Sequence, residues 1–94
     1  MELSFLETLI KIIRDRKLNP SENSYTSKLL SGGENKIIKK LGEENAEFIL
    51  AFLKESNERV ISEAADYLYH LLVALEYKNI SFEKVIKELE NRHK

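Results

Sequence analysis

The scarcity of helix-breaking residues constrains this chain most. Its 94 residues include one proline and three glycines. Because these two residue types are the ones that most often interrupt helices, a chain so poor in them is expected to consist of long helices. The length is that of one small domain, so we predict a single all-α domain over residues 1–94.

Apolar residues recur at helical spacing through most of the chain, which predicts a bundle of four or five helices. A segment rich in asparagine and serine, with the proline, ends the first helix at 19–24, and a second break lies at 31–33. We expect Asn57 and Ser81 to cap later helices. The expected bounds are 4–17, 34–54, 57–78 and 81–92, with a short turn or helix at 25–30.

Charge and composition exclude several kinds of protein. The chain has 15 Lys and Arg residues against 16 Asp and Glu residues, so it lacks the basic excess of a nucleic-acid binder. The absence of cysteine excludes disulfides, thiolate metal sites and cysteine nucleophiles. No apolar run is long enough to span a membrane, and the start lacks the basic residues of a secretory signal. We therefore expect a cytoplasmic protein with neither a nucleic-acid partner nor a membrane.

The second long helix carries glutamates on and beside its apolar stripe. Ile37, Leu41 and Phe48 align at roughly 100° per residue, and Glu44 falls in the middle of them. A carboxylate in that position loses its hydration, which costs free energy unless a partner compensates. Helical glutamates usually belong to a solvated face, but the position of Glu44 argues against that interpretation. Two further glutamates lie beside the same stripe: Glu43 and Glu47.

The third long helix combines an apolar stripe with an acidic one. We expect its main apolar face to consist of Ile61, Ala65, Leu68, Leu72 and Leu75. On the opposite side, Glu63 and Asp66 are three residues apart and project from one face. A short connection at 55–57 makes the two long helices antiparallel, so this acidic pair can lie opposite Glu44 and Glu47.

Four or five carboxylates that converge in a bundle repel one another, and some must stay protonated unless a cation neutralises them. A hard divalent cation removes the repulsion. Oxygen ligands favour Mg²⁺ or Mn²⁺, whereas zinc prefers histidine or cysteine. The residues alone therefore predict a carboxylate metal site in a helical bundle.

Two other residues of these helices carry weaker signals. His70 shares the acidic side of the third helix, but a lone helical histidine is more often a hydrogen-bonded structural residue than a base or a ligand. Gly42 costs roughly 1 kcal/mol relative to alanine inside a helix. Its presence indicates close approach by a ligand or by a neighbouring helix, for reasons of function or of packing.

Several short motifs occur in the order found in one enzyme family. The runs Gly-Glu-Glu-Asn-Ala-Glu at 42–47 and Glu-Ala-Ala-Asp at 63–66 match the metal-binding pattern of MazG-type helical nucleotide pyrophosphohydrolases. The match narrows to one branch of these enzymes because of three further segments: Ser-Tyr-Thr at 24–26, Lys-x-Gly-Glu-Glu at 40–44 and a closing run at 88–93. With these motifs the chain resembles the phosphoribosyl-ATP pyrophosphatases of histidine biosynthesis.

This resemblance implies a magnesium-dependent hydrolase that converts phosphoribosyl-ATP to phosphoribosyl-AMP and pyrophosphate, the second step of histidine biosynthesis. Water activated by the metal would attack at the α–β phosphate linkage. The implied catalytic residues are Glu43, Glu44, Glu47, Glu63 and Asp66. The implied ligands of Mg²⁺, with Mn²⁺ as a second candidate, are Glu44, Glu47, Glu63 and Asp66. The candidate substrate-binding residues are Ser24, Tyr25, Thr26, Lys28 and Lys40, as hydroxyl donors and cations suited to phosphate or ribose.

We also expect a homodimer, which the resemblance implies independently. A 94-residue monomer has too little interior to cover the apolar first helix together with Val73 and Tyr77, which lie on the acidic side of the third helix. Two alternatives stay open. One is a general MazG-type nucleoside triphosphate pyrophosphohydrolase, which would hydrolyse free nucleotides. The other is a non-catalytic helical dimerisation module, which would release no pyrophosphate.

Overall fold

Five α-helices account for most of the chain in a computed structural model that describes residues 3–94. The helices are α1 (Ser4–Leu18), α2 (Tyr25–Ser31), α3 (Glu34–Lys54), α4 (Asn57–Tyr77) and α5 (Phe82–Arg92). No strand occurs within the described range. The predicted all-α fold is therefore confirmed, with five helices. None of these helices is both long and apolar enough to cross a membrane.

Serine side chains cap three of the helices at their N-termini. Each accepts a hydrogen bond from a backbone N–H two or three residues further on: Ser24, Ser56 and Ser81. Ser56 takes the place at which the sequence predicted Asn57 as a cap, whereas Ser81 caps α5 as predicted. Gly33 precedes α3 with φ 89°, a left-handed conformation that glycine adopts without steric cost. The chain therefore turns sharply between α2 and α3.

The apolar core lies where α1 and α2 cover one end of the α3–α4 pair. Its buried members come from the first four helices: Ile13, Leu29, Leu30, Ile37, Leu72 and Val73. Leu29 is 1% exposed and Val73 is 0% exposed, so solvent is excluded from the core at this end of the molecule. The helical periodicity of the sequence accounts for the contribution of each helix.

α3 and α4 pack against each other along their lengths, joined by the two residues 55–56. The buried residues of α3 are Ile37, Glu44 and Ala51, so the predicted stripe faces α4 and Glu44 lies within it. Phe48 continues this stripe, with its ring centroid 6.1 Å from that of Tyr67 on α4. The predicted antiparallel hairpin brings the acidic segments of both helices together.

The predicted apolar face of α4 is wrong over its first half. Ile61 is 69% exposed and Leu68 is 40% exposed, whereas Glu63 and Val73 on the other side are buried. Tyr77 is half-buried and packs against the core. The reason is that α3 takes the acidic side of α4, and the core formed with α1 and α2 reaches only its second half. Val73 and Tyr77 are thus covered within a single chain, contrary to the argument first made for a dimer.

Candidate functional site

Three carboxylates converge between α3 and α4. Glu44, Glu63 and Asp66 each offer an oxygen atom, and these three oxygens lie within 4.8 Å of one another. Glu44 reaches this position because it lies in the inward stripe of α3. Glu63 and Asp66 reach it because residues three apart share one face of a helix. We call these three residues the acidic cluster.

The burial of the acidic cluster is uneven. Glu44 is 7% exposed and Glu63 is 4% exposed, whereas Asp66 is exposed. Within residues 3–94, the Oε2 atoms of both buried glutamates have no hydrogen-bond partner. Buried carboxylate oxygens without partners are costly, and native proteins retain them where a cation or another ligand compensates. Oxygen donors grouped in this way fit a hard divalent cation such as Mg²⁺ or Mn²⁺.

The other oxygen of each buried glutamate faces a cation on its own helix. Glu44 Oε1 lies 3.7 Å from Lys40 Nζ, and Glu63 Oε1 lies 2.5 Å from Arg59 Nη2. Each carboxylate therefore has one oxygen that is paired with a basic side chain and one that is unpaired. Two cations, one from each helix, border the acidic cluster.

Glu43 and Glu47 lie outside the acidic cluster. Both are exposed, and Glu43 Oε1 is 3.7 Å from Lys40 Nζ. Glu47 lies one turn further along α3 than Glu44, but its carboxylate is not among the three that approach within 4.8 Å. The structure thus brings together three of the four residues predicted as metal ligands. Roles for Glu43 and Glu47 stay predictions.

Lys40 is the predicted substrate-binding cation that the fold places at the acidic cluster. Its side chain is 33% exposed and contacts both Glu43 and Glu44. The pKa of Lys40 is raised above its ordinary value, first by Coulombic interaction with Tyr25 and then by the nearby glutamates of α3. The ammonium group therefore stays charged at the edge of the cluster. Lys28, the other predicted cation, is exposed on α2.

The Ser-Tyr-Thr segment has mainly structural contacts. Ser24 caps α2 by accepting a hydrogen bond from the backbone N–H of Ser27. Thr26 is 9% exposed and shares a hydrogen bond with the hydroxyl of Tyr69. Burial raises the pKa of Tyr69, so its hydroxyl keeps its proton. Tyr25, at 49% exposed, is the residue of this segment with the most surface open to a ligand.

His70 connects Tyr25 to the acidic cluster. Its Nδ1 lies 2.7 Å from the backbone carbonyl oxygen of Asp66, and its Nε2 lies 3.0 Å from the Tyr25 hydroxyl. A carbonyl oxygen only accepts, so Nδ1 carries a proton and donates it to Asp66, while Nε2 shares the second hydrogen bond with the Tyr25 hydroxyl. Both ring nitrogens of His70 are hydrogen-bonded and the residue is 7% exposed, which is typical of a structural histidine; its role stays a prediction.

Arg59 is the residue at this site that the sequence reasoning missed. Besides the contact with Glu63, its Nε lies 3.0 Å from Glu55 Oε1. Each partner is four residues away, a spacing that signals an ion pair on any exposed helix. That spacing was visible in the sequence. The spacing alone does not distinguish this pair from an ordinary surface ion pair, whereas the burial of Glu63 does.

The chain is similar to known proteins over nearly its whole length. A family model described as phosphoribosyl-ATP pyrophosphohydrolase matches residues 6–93. The chain is 48% identical over 88 residues to the phosphoribosyl-ATP pyrophosphatase of Clostridium acetobutylicum. The aligned region covers 94% of this chain and 80% of that protein. The chain is 45% identical over 94 residues to the phosphoribosyl-ATP pyrophosphatase of Methanosarcina barkeri, with coverage of 98% and 90%.

Longer relatives contain the same region. The chain is 44% identical over 89 residues to the histidine biosynthesis bifunctional protein HisIE of Nostoc sp., covering 95% of this chain and 41% of that protein. The chain spans about two fifths of the length of the bifunctional relatives that it matches.

Proposed function

The chain belongs to the phosphoribosyl-ATP pyrophosphohydrolase family, and on this premise we propose that it hydrolyses phosphoribosyl-ATP to phosphoribosyl-AMP and pyrophosphate. The reaction would be the second step of histidine biosynthesis, carried out in the cytoplasm. The observation that supports the proposal most is the acidic cluster, in which two buried glutamates each have an oxygen without a partner.

The residues that would hold a divalent cation are Glu44, Glu63 and Asp66, with Glu47 as a fourth ligand from the next turn of α3. A magnesium ion there would supply positive charge against the phosphate oxygens and acidify a water molecule. The unpartnered Oε2 atoms of Glu44 and Glu63 fit this use, because cation binding would compensate their desolvation.

The chain's own cations and exposed carboxylates would do the remaining work. Lys40, charged and at the edge of the acidic cluster, would bind phosphate oxygens and stabilise the charge that develops on the leaving pyrophosphate. The water oxygen bonds to the α-phosphorus as the bond from that phosphorus to the bridging oxygen breaks. The water proton would pass to an exposed carboxylate, for which Glu43 and Glu47 are the candidates.

Discrimination from ATP must come from contacts to the phosphoribosyl group, since ATP lacks only that part. Tyr25 and Lys28 are the candidates that the fold leaves open to such contacts, because both are exposed on α2. Two arginines of α1 are engaged elsewhere, because Arg14 pairs with Glu76 and Arg16 pairs with Asp15. Thr26 would act indirectly, by holding α2 against Tyr69.

A pyrophosphate-release assay tests this function. We expect release from phosphoribosyl-ATP in the presence of MgCl₂, loss of that release with EDTA, and much lower efficiency on ATP and deoxynucleoside triphosphates. Equal efficiency on phosphoribosyl-ATP and ATP would instead support a general nucleotide pyrophosphohydrolase. No release from any of these substrates would support the non-catalytic dimerisation module.

We further propose that the protein is a homodimer, for a different reason from the one that the sequence provided. The outer sides of α3 and α4 carry large exposed apolar residues: Ile49, Phe52, Leu53, Ile61 and Leu68. Exposed apolar surface on this scale marks an interaction site, and a second copy of the chain presents the same surface.

Light scattering tests the dimer. We expect a particle of twice the 11.0 kDa chain mass at micromolar concentration. Ile61→Glu should shift it toward the monomer, because Ile61 lies on the outer side of α4 at 69% exposed. The matched control is Leu18→Glu, equally exposed at 70% but at the end of α1. A monomeric wild type, or a dimer that both variants leave unchanged, would contradict the assignment.

A further inference from the structure

Arg59 forms the closest ion pair at the acidic cluster. Its Nη2 lies 2.5 Å from Glu63 Oε1 while its Nε lies 3.0 Å from Glu55 Oε1, so the guanidinium spans the start of α4. The side chain of Arg59 is 53% exposed, whereas that of Glu63 is 5% exposed. The pKa of Arg59 is raised, first by the hydrogen bond to Glu55 and then by the charge of Glu63. An exposed cation thus neutralises a buried carboxylate.

The two buried glutamates differ in how firmly their cations are held. Lys40 Nζ lies 3.7 Å from Glu44 Oε1, which is beyond hydrogen-bond distance. Arg59 contacts Glu63 at hydrogen-bond distance and is also anchored to Glu55. Charge-assisted hydrogen bonds of the guanidinium group are among the stronger polar contacts in proteins. Arg59 is therefore held at Glu63 by shorter contacts than those that hold Lys40 at Glu44.

We propose that Arg59 is a built-in counter-ion of Glu63 that stabilises the chain without a divalent cation and weakens the affinity of the acidic cluster for that cation. The inference rests on the proposed function, because it assumes that the cluster binds Mg²⁺. Arg59 acts through Glu63 and is a positioning residue, with no contact to the reaction required of it.

The sign of the effect follows from electrostatics. A divalent cation bound by Glu63 would share that carboxylate with the Arg59 guanidinium, and like charges held by one carboxylate repel each other. Without the divalent cation, the same guanidinium compensates the buried charge of Glu63, which is costly when unpaired. Removal of Arg59 should therefore lower the stability of the metal-free protein and tighten the binding of Mg²⁺. A residue that only supports the fold would not produce this opposite pair of effects.

The chain offers a matched control for this test. Arg92 Nε lies 3.1 Å from Glu88 Oε1 on α5, with the same spacing of four residues. Both side chains of that pair are largely exposed, at 69% and 59%. Arg92→Gln therefore removes an arginine ion pair of the same type away from the acidic cluster.

The experiment compares wild type, Arg59→Gln, Arg59→Lys and Arg92→Gln by calorimetric titration with MgCl₂ and by melting temperature with and without MgCl₂. For Arg59→Gln we expect a lower melting temperature without Mg²⁺ and a Kd for Mg²⁺ smaller by about tenfold. Arg59→Lys keeps the charge and should bind Mg²⁺ with nearly the wild-type Kd, even if Arg59→Gln does not fold without the metal. Arg92→Gln should leave the Kd unchanged.

Two results would overturn the inference, and they are distinguishable. A wild type that binds Mg²⁺ together with an Arg59→Gln variant of equal or weaker affinity overturns the counter-ion role alone. A wild type that shows no response to Mg²⁺ in either measurement overturns the metal assignment as well.

Discussion

The two halves of the α3–α4 pair differ in the side chains that they bury. Where α1 and α2 cover the pair, an apolar core forms that includes Leu29 and Val73. Further along, the same two helices bury Glu44 and Glu63, whose Oε2 atoms have no partner in the described part of the chain. Apolar burial stabilises a fold by roughly 25 cal/mol per Å², whereas burial of a carboxylate costs free energy. Apolar burial at the covered end therefore offsets the free-energy cost of burying carboxylates at the other end.

The largest expected effect is on catalysis at the acidic end. Glu44→Gln removes the charge of a buried residue of the cluster but keeps its shape, so we expect turnover to fall by at least about 100-fold while the helical circular dichroism stays unchanged. Steady-state pyrophosphate release measures this loss. The matched control is Glu88→Gln, which removes an exposed helical glutamate that pairs with Arg92. Near-normal turnover of Glu44→Gln would contradict a role for Glu44 in catalysis.

The next largest effect is on stability at the apolar end. Leu29→Ala should lower the free energy of unfolding by about 2–5 kcal/mol, because it leaves a cavity in the core. Urea denaturation measures this change, and the Kd for Mg²⁺ should stay at the wild-type value. Leu18→Ala is the control, since Leu18 is 70% exposed. Equal losses in the two variants would mean that the core is not where the structure places it.

A smaller effect is expected where the two ends meet. Tyr25→Phe leaves the buried Nε2 of His70 without its hydrogen bond, which should cost about 1–3 kcal/mol of stability. The same measurement on Tyr67→Phe provides the control, because Tyr67 packs with its ring against that of Phe48. A larger loss for Tyr67→Phe than for Tyr25→Phe would contradict the His70 geometry.

The smallest effect concerns Gly42. Apart from its chain neighbours and the backbone of its own helix, a Cβ atom added at this position meets nothing within 4 Å in the described chain. Of the two neighbours that the sequence led us to expect, a ligand or a helix, no helix of this chain is in contact here. Gly42→Ala should then stabilise the protein by about 0.4–1 kcal/mol through its helix propensity. If denaturation instead shows a loss of stability, a second chain must approach α3 at this point.

The sequence predicted the helices well because capping and periodicity are local. Ser81 caps α5 as expected, and Glu44 is buried because it interrupts an apolar stripe. The sequence failed on α4 because both sides of that helix carry apolar residues. A helical wheel ranks such sides by hydrophobicity, but the choice between Ile61 and Val73 depended on where α1 and α2 pack.

The site was less predictable, because its contacts join distant parts of the chain. Glu63 and Asp66 could be placed together from their spacing, and Glu44 from the hairpin. The sequence does not show that Thr26 pairs with Tyr69 or that Tyr25 pairs with His70. Each of these hydrogen bonds spans more than 40 residues and depends on how α2 packs against α4.

The most direct test of the account is the location of a paramagnetic divalent cation. Mn²⁺ added in substoichiometric amounts to the ¹⁵N-labelled protein broadens the amide signals of residues close to it. The account predicts broadening first at Glu44, Glu63 and Asp66, and later or not at all at Ile13 and Leu29. Excess Mg²⁺ should reverse the broadening. Broadening that is spread over exposed acidic residues of α5, with sharp signals at Glu44 and Glu63, would contradict the assignment of the metal site.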